Sequence, residues 1–289
     1  MSRIHEALQR ADLECNNLAN AKTVLATQPF ASTAVQFPNF PLINLDKIAG
    51  KSWNPSPAHF PTLAERGEVI EQFRTFRSRI YEYHGQQRTK SILVSSGMPG
   101  EGKSFVAANL AVSLAKGKNQ NVVLIDADMR RPTLHGLLGT SCTDGLSDYL
   151  SGQVELKDVI QRDLRAKTIR PGQSVQVPNL FFIPAGKPTD NASEAVAGHR
   201  IREMMDSLEA AFDWIEIDSP PVLMFADAVD IAREVDGVLL VARGAKTTAD
   251  AAQKVQEAFR ASRILGFVLN AVKNPPDLGS YNSYYYRPQ

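Results

Sequence analysis

Residues 91–117, "SILVSSGMPGEGKSFVAANLAVSLAKG", change periodicity twice within one short stretch. "SILVSS" (91–96) is a compact apolar run ended by glycine, as in a strand buried on both faces. "FVAANLAVSLAKG" (105–117) is built from helix formers. Between them, "GMPGEGKS" (97–104) is G-x-x-x-x-G-K-S in the strand–turn–helix setting that a phosphate-binding loop requires. Gly97, Gly100 and Gly102 let the backbone curl until its N–H groups converge on phosphate oxygens, and Met98, Pro99 and Glu101 complete the loop. The helix N-terminus adds its positive dipole end. Lys103 is placed to bridge the β- and γ-phosphates of ATP, and the Ser104 hydroxyl to ligate Mg²⁺.

Outward from this loop the pattern repeats. "NVVLID" (121–126), "NLFFIP" (179–184), "WIEID" (214–218), "GVLLVA" (237–242) and "ILGFVLN" (264–270) are short apolar runs separated by helical stretches. Strands alternating with helices predict an α/β P-loop NTPase, with a mainly parallel β-sheet covered by helices on both faces. Residues 162–178 read as a loop. In a parallel sheet the strand C-termini share one edge, where ligands bind. "VVLIDADMRRP" puts Asp126 and Asp128 on that edge, and "WIEIDSPPV" adds Asp218. Beside a phosphate loop, one carboxylate can hold Mg²⁺ or its waters while another accepts the proton of an incoming hydroxyl. Lys103, Asp126 and Asp128 are the candidate catalytic residues, and Ser104, Asp126 and Asp218 the candidate metal ligands. Glu216, inside an otherwise apolar strand, is expected to face solvent at a poorly covered position.

The totals narrow the function classes. A net charge of +1 over 289 residues argues against a nucleic-acid coat or a basic membrane surface. Cys15 and Cys142 lie far apart, and the five histidines are scattered without metal-ligand spacing. No apolar run approaches the roughly 18 residues of a membrane span, so a cytoplasmic protein that reaches membranes through a partner is expected. Residues 4–18 carry Ile4, Ala7, Leu8, Ala11, Cys15 and Leu18 at helical spacing, and six of the seventeen prolines fall between Pro29 and Pro61. Residues 1–61 therefore read as a helix followed by a proline-rich extended linker. "ERGEVIEQFRTFRSRIYEY" (65–83) is a helix with Val69, Ile70, Phe73, Phe76 and Ile80 as its apolar stripe. At the other end, four of the seven tyrosines (Tyr281, Tyr284, Tyr285, Tyr286) fall in the last nine residues, where burial is hard to arrange.

Taken together, "SSGMPGEGKS", "VLIDADMRRP", "IEIDSPPV", the upstream "EQFRTFR" and the terminal tyrosines closely resemble the bacterial tyrosine kinases of the capsular and exopolysaccharide family. The resemblance covers residues 65–289. It implies an ATP- and Mg²⁺-dependent protein-tyrosine autokinase, with residues 62–274 as the kinase domain and 275–289 as a flexible tail bearing the phosphoacceptors. It also implies that Glu71, Arg74 and Arg77, which by helical spacing alone could simply pair in water, serve as a ring-forming interface. By similarity to related P-loop ATPases, Asn270 is placed near the adenine. Many relatives fuse a transmembrane segment; this chain resembles the form whose membrane activator, a polysaccharide co-polymerase, is a separate polypeptide. The rival reading is a switch ATPase of the ParA/MinD type. Such proteins usually carry a second lysine early in the loop, where this chain has Met98.

Overall fold

The computed structural model describes residues 43–64, 66–117, 120–164, 177, 179–189 and 191–272. The helix expected at 4–18 and the tyrosines of the tail lie outside them. Among the described residues eight strands form one sheet: β1 (Gly50–Lys51), β2 (Ser91–Ser96), β3 (Val122–Asp126), β4 (Gln161–Asp163), β5 (Leu180–Ile183), β6 (Trp214–Asp218), β7 (Gly237–Arg243) and β8 (Ile264–Asn270). Their order across the sheet is β1-β4-β5-β3-β6-β2-β7-β8. All six strands expected from the apolar runs are present and run parallel to one another. β4, antiparallel to β5, and β1, parallel to β4, extend one edge. Their polar residues carry no strand signature, as suits a blunted edge, and β4 overlaps the start of the stretch read as a loop.

A core lies on each face of the sheet. On one, Val123, Ile125, Ile215 and Ile217 pack against the helix α7 (His199–Ala211) through Met204, Met205 and Leu208. On the other, Ile92, Val94, Leu124 and Trp214 meet the helices α1 (Glu68–Gln87) and α2 (Lys103–Ala115). α2 is sandwiched between the sheet and α1, so every residue from Val106 to Ala115 is buried, and its sequence is correspondingly apolar all round. α1 buries only Ile70, Phe73 and Ile80; Val69, expected in the stripe, is exposed. The remaining helices are α3 (Leu134–Leu138), α4 (Leu146–Leu150), α5 (Leu156–Val159), α6 (Ala192–Ala197), α8 (Asp227–Ile231) and α9 (Ala249–Ala258).

The linker reading fails from residue 43 onward. Residues 43–61 hold β1 and bury Ile48, Trp53 and Phe60, with the Trp53 ring edge-on to Phe182 at 6.3 Å. Each such side chain contributes roughly 1.5–3 kcal/mol by burial. Polar anchors fix the strap to the back of α2. Asn109 Nδ2 donates to the His59 carbonyl (2.9 Å), and its Oδ1 accepts from the Thr62 hydroxyl (2.7 Å). Lys116 Nζ donates to the carbonyls of Thr62 (2.8 Å) and Leu63 (3.1 Å). The segment is not uniformly extended, since Leu45–Lys47 and Pro61–Leu63 form short 3-10 turns, and Trp53 and Phe60 give it something to bury. Packing against the sheet and α2 thus begins before residue 62.

Candidate nucleotide and phosphoryl-transfer site

The sheet register assembles the site. Asp126 and Asp218 are direct partners on the adjacent strands β3 and β6, and β6 lies beside β2, from which the phosphate loop departs. Lys103, first residue of α2, reaches between Asp128 and Asp218: its Nζ lies 3.2 Å from Asp128 Oδ2 and 3.6 Å from Asp218 Oδ1. Burial alone would push the Lys103 ammonium down, but Asp218, then Asp128 and Asp126, more than offset it, and its pKa is raised. Ser104 Oγ stands 3.2 Å from Lys103 Nζ and 3.1 Å from Thr133 Oγ1.

The three carboxylates have different surroundings. Asp126 is saturated by backbone donors: Oδ1 accepts from Asp128 N (3.2 Å), and Oδ2 from Thr133 N and Leu134 N (both 3.0 Å). It thereby caps α3 and shapes the 127–133 turn. Burial, reinforced by the charge of Asp218, nevertheless pushes its carboxyl up to about 7. Asp128 spends Oδ1 on Arg131 N (3.0 Å) and keeps Oδ2 for Lys103. Asp218 is fully buried, and beyond the 3.6 Å ion pair with Lys103 neither oxygen has a hydrogen-bond partner within 3.5 Å; burial raises its pKa against the pull of Lys103. Beside Ser104, these orphaned oxygens fit a Mg²⁺ ion or its waters. Among the described residues no His, Cys, Asp or Glu group forms a ready-made ion cage. A nucleotide-borne Mg²⁺ needs none, since it takes one or two protein oxygens and fills the remainder with phosphate and water.

The loop itself is braced from behind. Gly100 and Gly102 adopt φ of +78° and +95°, and a Cβ on Gly102 would lie 2.0 Å from Asn270 Nδ2, so only glycine fits there. Glu101, 2% exposed, turns its carboxylate inward, accepting from Met98 N (2.8 Å) and from the Thr247 hydroxyl. Arg243 Nη1 donates to the Gly100 carbonyl (2.8 Å), and Asn270 Nδ2 to the Glu101 carbonyl (3.0 Å). Glu101 and Asn270 therefore act on the shape of the loop, whereas Met98 projects outward, 44% exposed. Sequence reasoning did not find Thr133, Arg243 or Thr247. Thr133 directly follows "DADMRRP", and Arg243 and Thr247 lie within "VARGAKT" (241–247), but no local spacing marks them, because the contacts join elements distant in the chain.

Elsewhere the structure divides the predicted residues. Glu71 and Arg74 pair on the α1 surface at 2.6 Å, while Arg77 turns inward and donates to the Ser113 carbonyl (2.6 Å) near the end of α2. Glu216 does not face solvent. It is 1% exposed under α2, both oxygens lack partners, and burial, with a further push from Asp218, raises its pKa well above the usual carboxylate value. The physical reason for the correction is that β6 lies mid-sheet with both faces covered, leaving no wet position for its side chains. Among the described residues no helix is long and apolar enough to cross a membrane.

Residues 92–285 match the CobQ/CobB/MinD/ParA nucleotide-binding domain model. Tyrosine-protein kinase YwqD of Bacillus subtilis is 33% identical over 205 residues, covering 70% of this chain and 81% of that protein. Tyrosine-protein kinase ptk of Acinetobacter johnsonii is 31% identical over 74% of this chain, which spans only 28% of that longer protein. The solved kinase domain of Escherichia coli tyrosine kinase ETK superposes with a TM-score of 0.67 at 29% identity, covering 77% of this chain and 84% of that one. With the phosphate loop, the paired strand-end aspartates and Lys103 between them, the chain belongs to the bacterial tyrosine-protein kinase family, on the CobQ/CobB/MinD/ParA nucleotide-binding fold.

Proposed function

We propose that the chain is an ATP-dependent protein-tyrosine autokinase whose acceptors are Tyr281, Tyr284, Tyr285 and Tyr286. The observation that carries the reading is the convergence of Asp128 and Asp218 on Lys103 at the mouth of a phosphate loop. Lys103 and the loop N–H groups hold the terminal phosphates. Mg²⁺, when bound through Ser104 and the Asp218 side, neutralises charge on them. Asp128 is the base, because the Asp126 oxygens are already committed to backbone donors. A phenol oxygen bonds to the γ-phosphorus, the bond from that phosphorus to the β–γ bridging oxygen breaks, ADP departs, and the phenolic proton passes to Asp128. Phosphoryl transfer asks mainly for such positioning and charge compensation.

The same reading makes the chain a cytoplasmic homo-oligomer, a ring built through Glu71, Arg74 and Arg77. A separate membrane activator of the polysaccharide co-polymerase class recruits it to regulate capsular or exopolysaccharide synthesis and export. Support comes from the family membership and from the exposure of the Glu71–Arg74 pair, about half of each side chain being in water.

The decisive experiment incubates the protein with γ-labelled ATP and Mg²⁺, followed by phosphoamino-acid analysis, beside Lys103→Met. Label on tyrosine in wild type and none in the variant is the expected result. Free phosphate without labelled protein would overturn the kinase reading in favour of a ParA/MinD-type switch ATPase.

A further inference from the structure

Beside the phosphoryl-transfer site lies an open cavity of about 660 Å³, within the ~300–1,000 Å³ range typical of ligand pockets. Its lining includes Pro132, His135, Thr143, Asp144, Lys187 and Pro188. It is continuous with the catalytic turn: Pro132 sits between Arg131, whose N–H donates to Asp128, and Thr133, whose hydroxyl meets Ser104. The opposite wall follows β5, and Thr189 N donates to the Met129 carbonyl at 3.1 Å, joining that wall to the same turn. A peptide delivering a phenol to Asp128 can therefore continue into this cavity.

We infer that the cavity is a docking subsite for the tyrosine-rich segment 281–289, with Asp144 receiving Arg287, so that it selects which tyrosine reaches the Lys103–Asp128 centre. The inference rests on the autokinase reading and deepens it. Three features point to that occupant. Pro132 and Pro188 offer flat apolar surface suited to the phenol rings flanking the one being modified. In residues 274–289 Arg287 is the one basic side chain, and Asp144 is the carboxylate of the cavity lining. The reach also suffices. The described chain stops at Val272, just past β8, and the cavity lies five strand positions away at β5. Five spacings amount to roughly 24 Å, whereas twelve residues from Val272 to Tyr284 extend at most about 40–43 Å. The tail of the same or a neighbouring subunit can occupy the cavity.

The test is a charge exchange in the full-length protein. Asp144 is exposed and outside the catalytic machinery, so Asp144→Arg is expected to fold. Asp144→Arg and Arg287→Glu are each expected to slow tail autophosphorylation about tenfold and to change which tyrosines are modified in a mass-spectrometric map, with KM for ATP unchanged. The double variant Asp144→Arg/Arg287→Glu is expected to recover most of the loss, as a pair worth about a factor of ten in binding would. Wild-type protein phosphorylated on tyrosine, but indifferent to both single changes, overturns this inference alone. So does a double variant as impaired as the two losses combined. A wild type with no phosphotyrosine removes the autokinase reading and this one with it.

Discussion

Glu71 and Arg74 meet at 2.6 Å on α1 with about half of each side chain in water, whereas Lys103 and Asp128 meet at 3.2 Å with about a tenth exposed. The shorter contact is the weaker one. Water already solvates both partners of the surface pair, which contributes about 0–1 kcal/mol. In the buried pair the attraction must offset the desolvation of two ions. Removing Lys103 there leaves Asp128 and Asp218 buried without their cation, at a cost of roughly 3–5 kcal/mol. The strand-end cluster is thus charge held in place at an energetic cost, as a site for phosphate and metal requires, and the α1 ladder is charge placed where water makes it nearly free.

Substitutions inside the cluster should break this contrast with the largest effects. Asp128→Asn removes both the Lys103 partner and the proposed base. Autophosphorylation is expected to fall by about 100-fold or more while the fold is retained. Asp126→Asn tests a different role. One amide oxygen cannot accept all three backbone N–H groups that Asp126 now satisfies, and its NH₂ would face donors. A loss of about 1–3 kcal/mol in urea unfolding is expected along with activity. If Asp126→Asn proves as stable as wild type, the saturated-carboxylate description of that residue is wrong.

One layer beneath, Glu216 has burial like that of Asp218 but no cation. Its folded pKa is raised, so the native state binds a proton that the unfolded chain releases above its ordinary value of 4.5. That contribution to stability is fully present below pH 4.5 and is lost as pH rises through the raised folded value. Asp126 acts in the same direction between 3.8 and about 7. Each group can tilt stability by up to ~1.4 kcal/mol per pH unit. Glu216→Gln keeps the shape and removes the titration. Urea unfolding between pH 5 and 8 is expected to show a flatter decline for the variant, and parallel curves would mean that Glu216 is ionised in the fold.

Glu216 also marks where the sequence stops being informative. The phosphate loop, Asp126, Asp128 and Asp218 were legible because their chemistry demands fixed local spacings at strand ends, and register then brings them together. The interior strands β2, β3, β5, β6 and β7 were legible for the same reason: burial on both faces requires continuous apolar runs. β8 was legible from its apolar run although it lies at the sheet edge with Phe267 and Leu269 exposed. β1 and β4 were not, since at two and three residues, mostly polar, they are too short to leave an apolar pattern. The bracing of the loop by Thr247 on the Glu101 carboxylate and by Arg243 on the Gly100 carbonyl, some 140 residues downstream, depends on tertiary contacts that no local spacing encodes. Trp53 and Phe60 were hidden by the prolines around them, because composition reports how stiff a segment is and not what it can bury.

The smallest effects are expected on α1, where the motif Glu71, Arg74, Arg77 looks uniform in sequence and is divided by the fold. Arg74 can lose its exposed partner with little consequence, so Arg74→Ala should change stability by no more than about 0.5 kcal/mol. Arg77 is half-buried, and its guanidinium satisfies the Ser113 carbonyl, one of the last four of α2, where a positive charge also complements the helix dipole. Arg77→Ala should therefore cost about 1–2 kcal/mol. Urea unfolding of the two variants separates these values, and sedimentation of the folded proteins separates assembly from stability. If the ladder builds a ring, Arg74→Ala shifts the oligomer while leaving the unfolding midpoint in place. Equal stability losses for both variants would show that Arg77 is as dispensable to the fold as its exposed neighbour, and that its contact with α2 contributes nothing measurable.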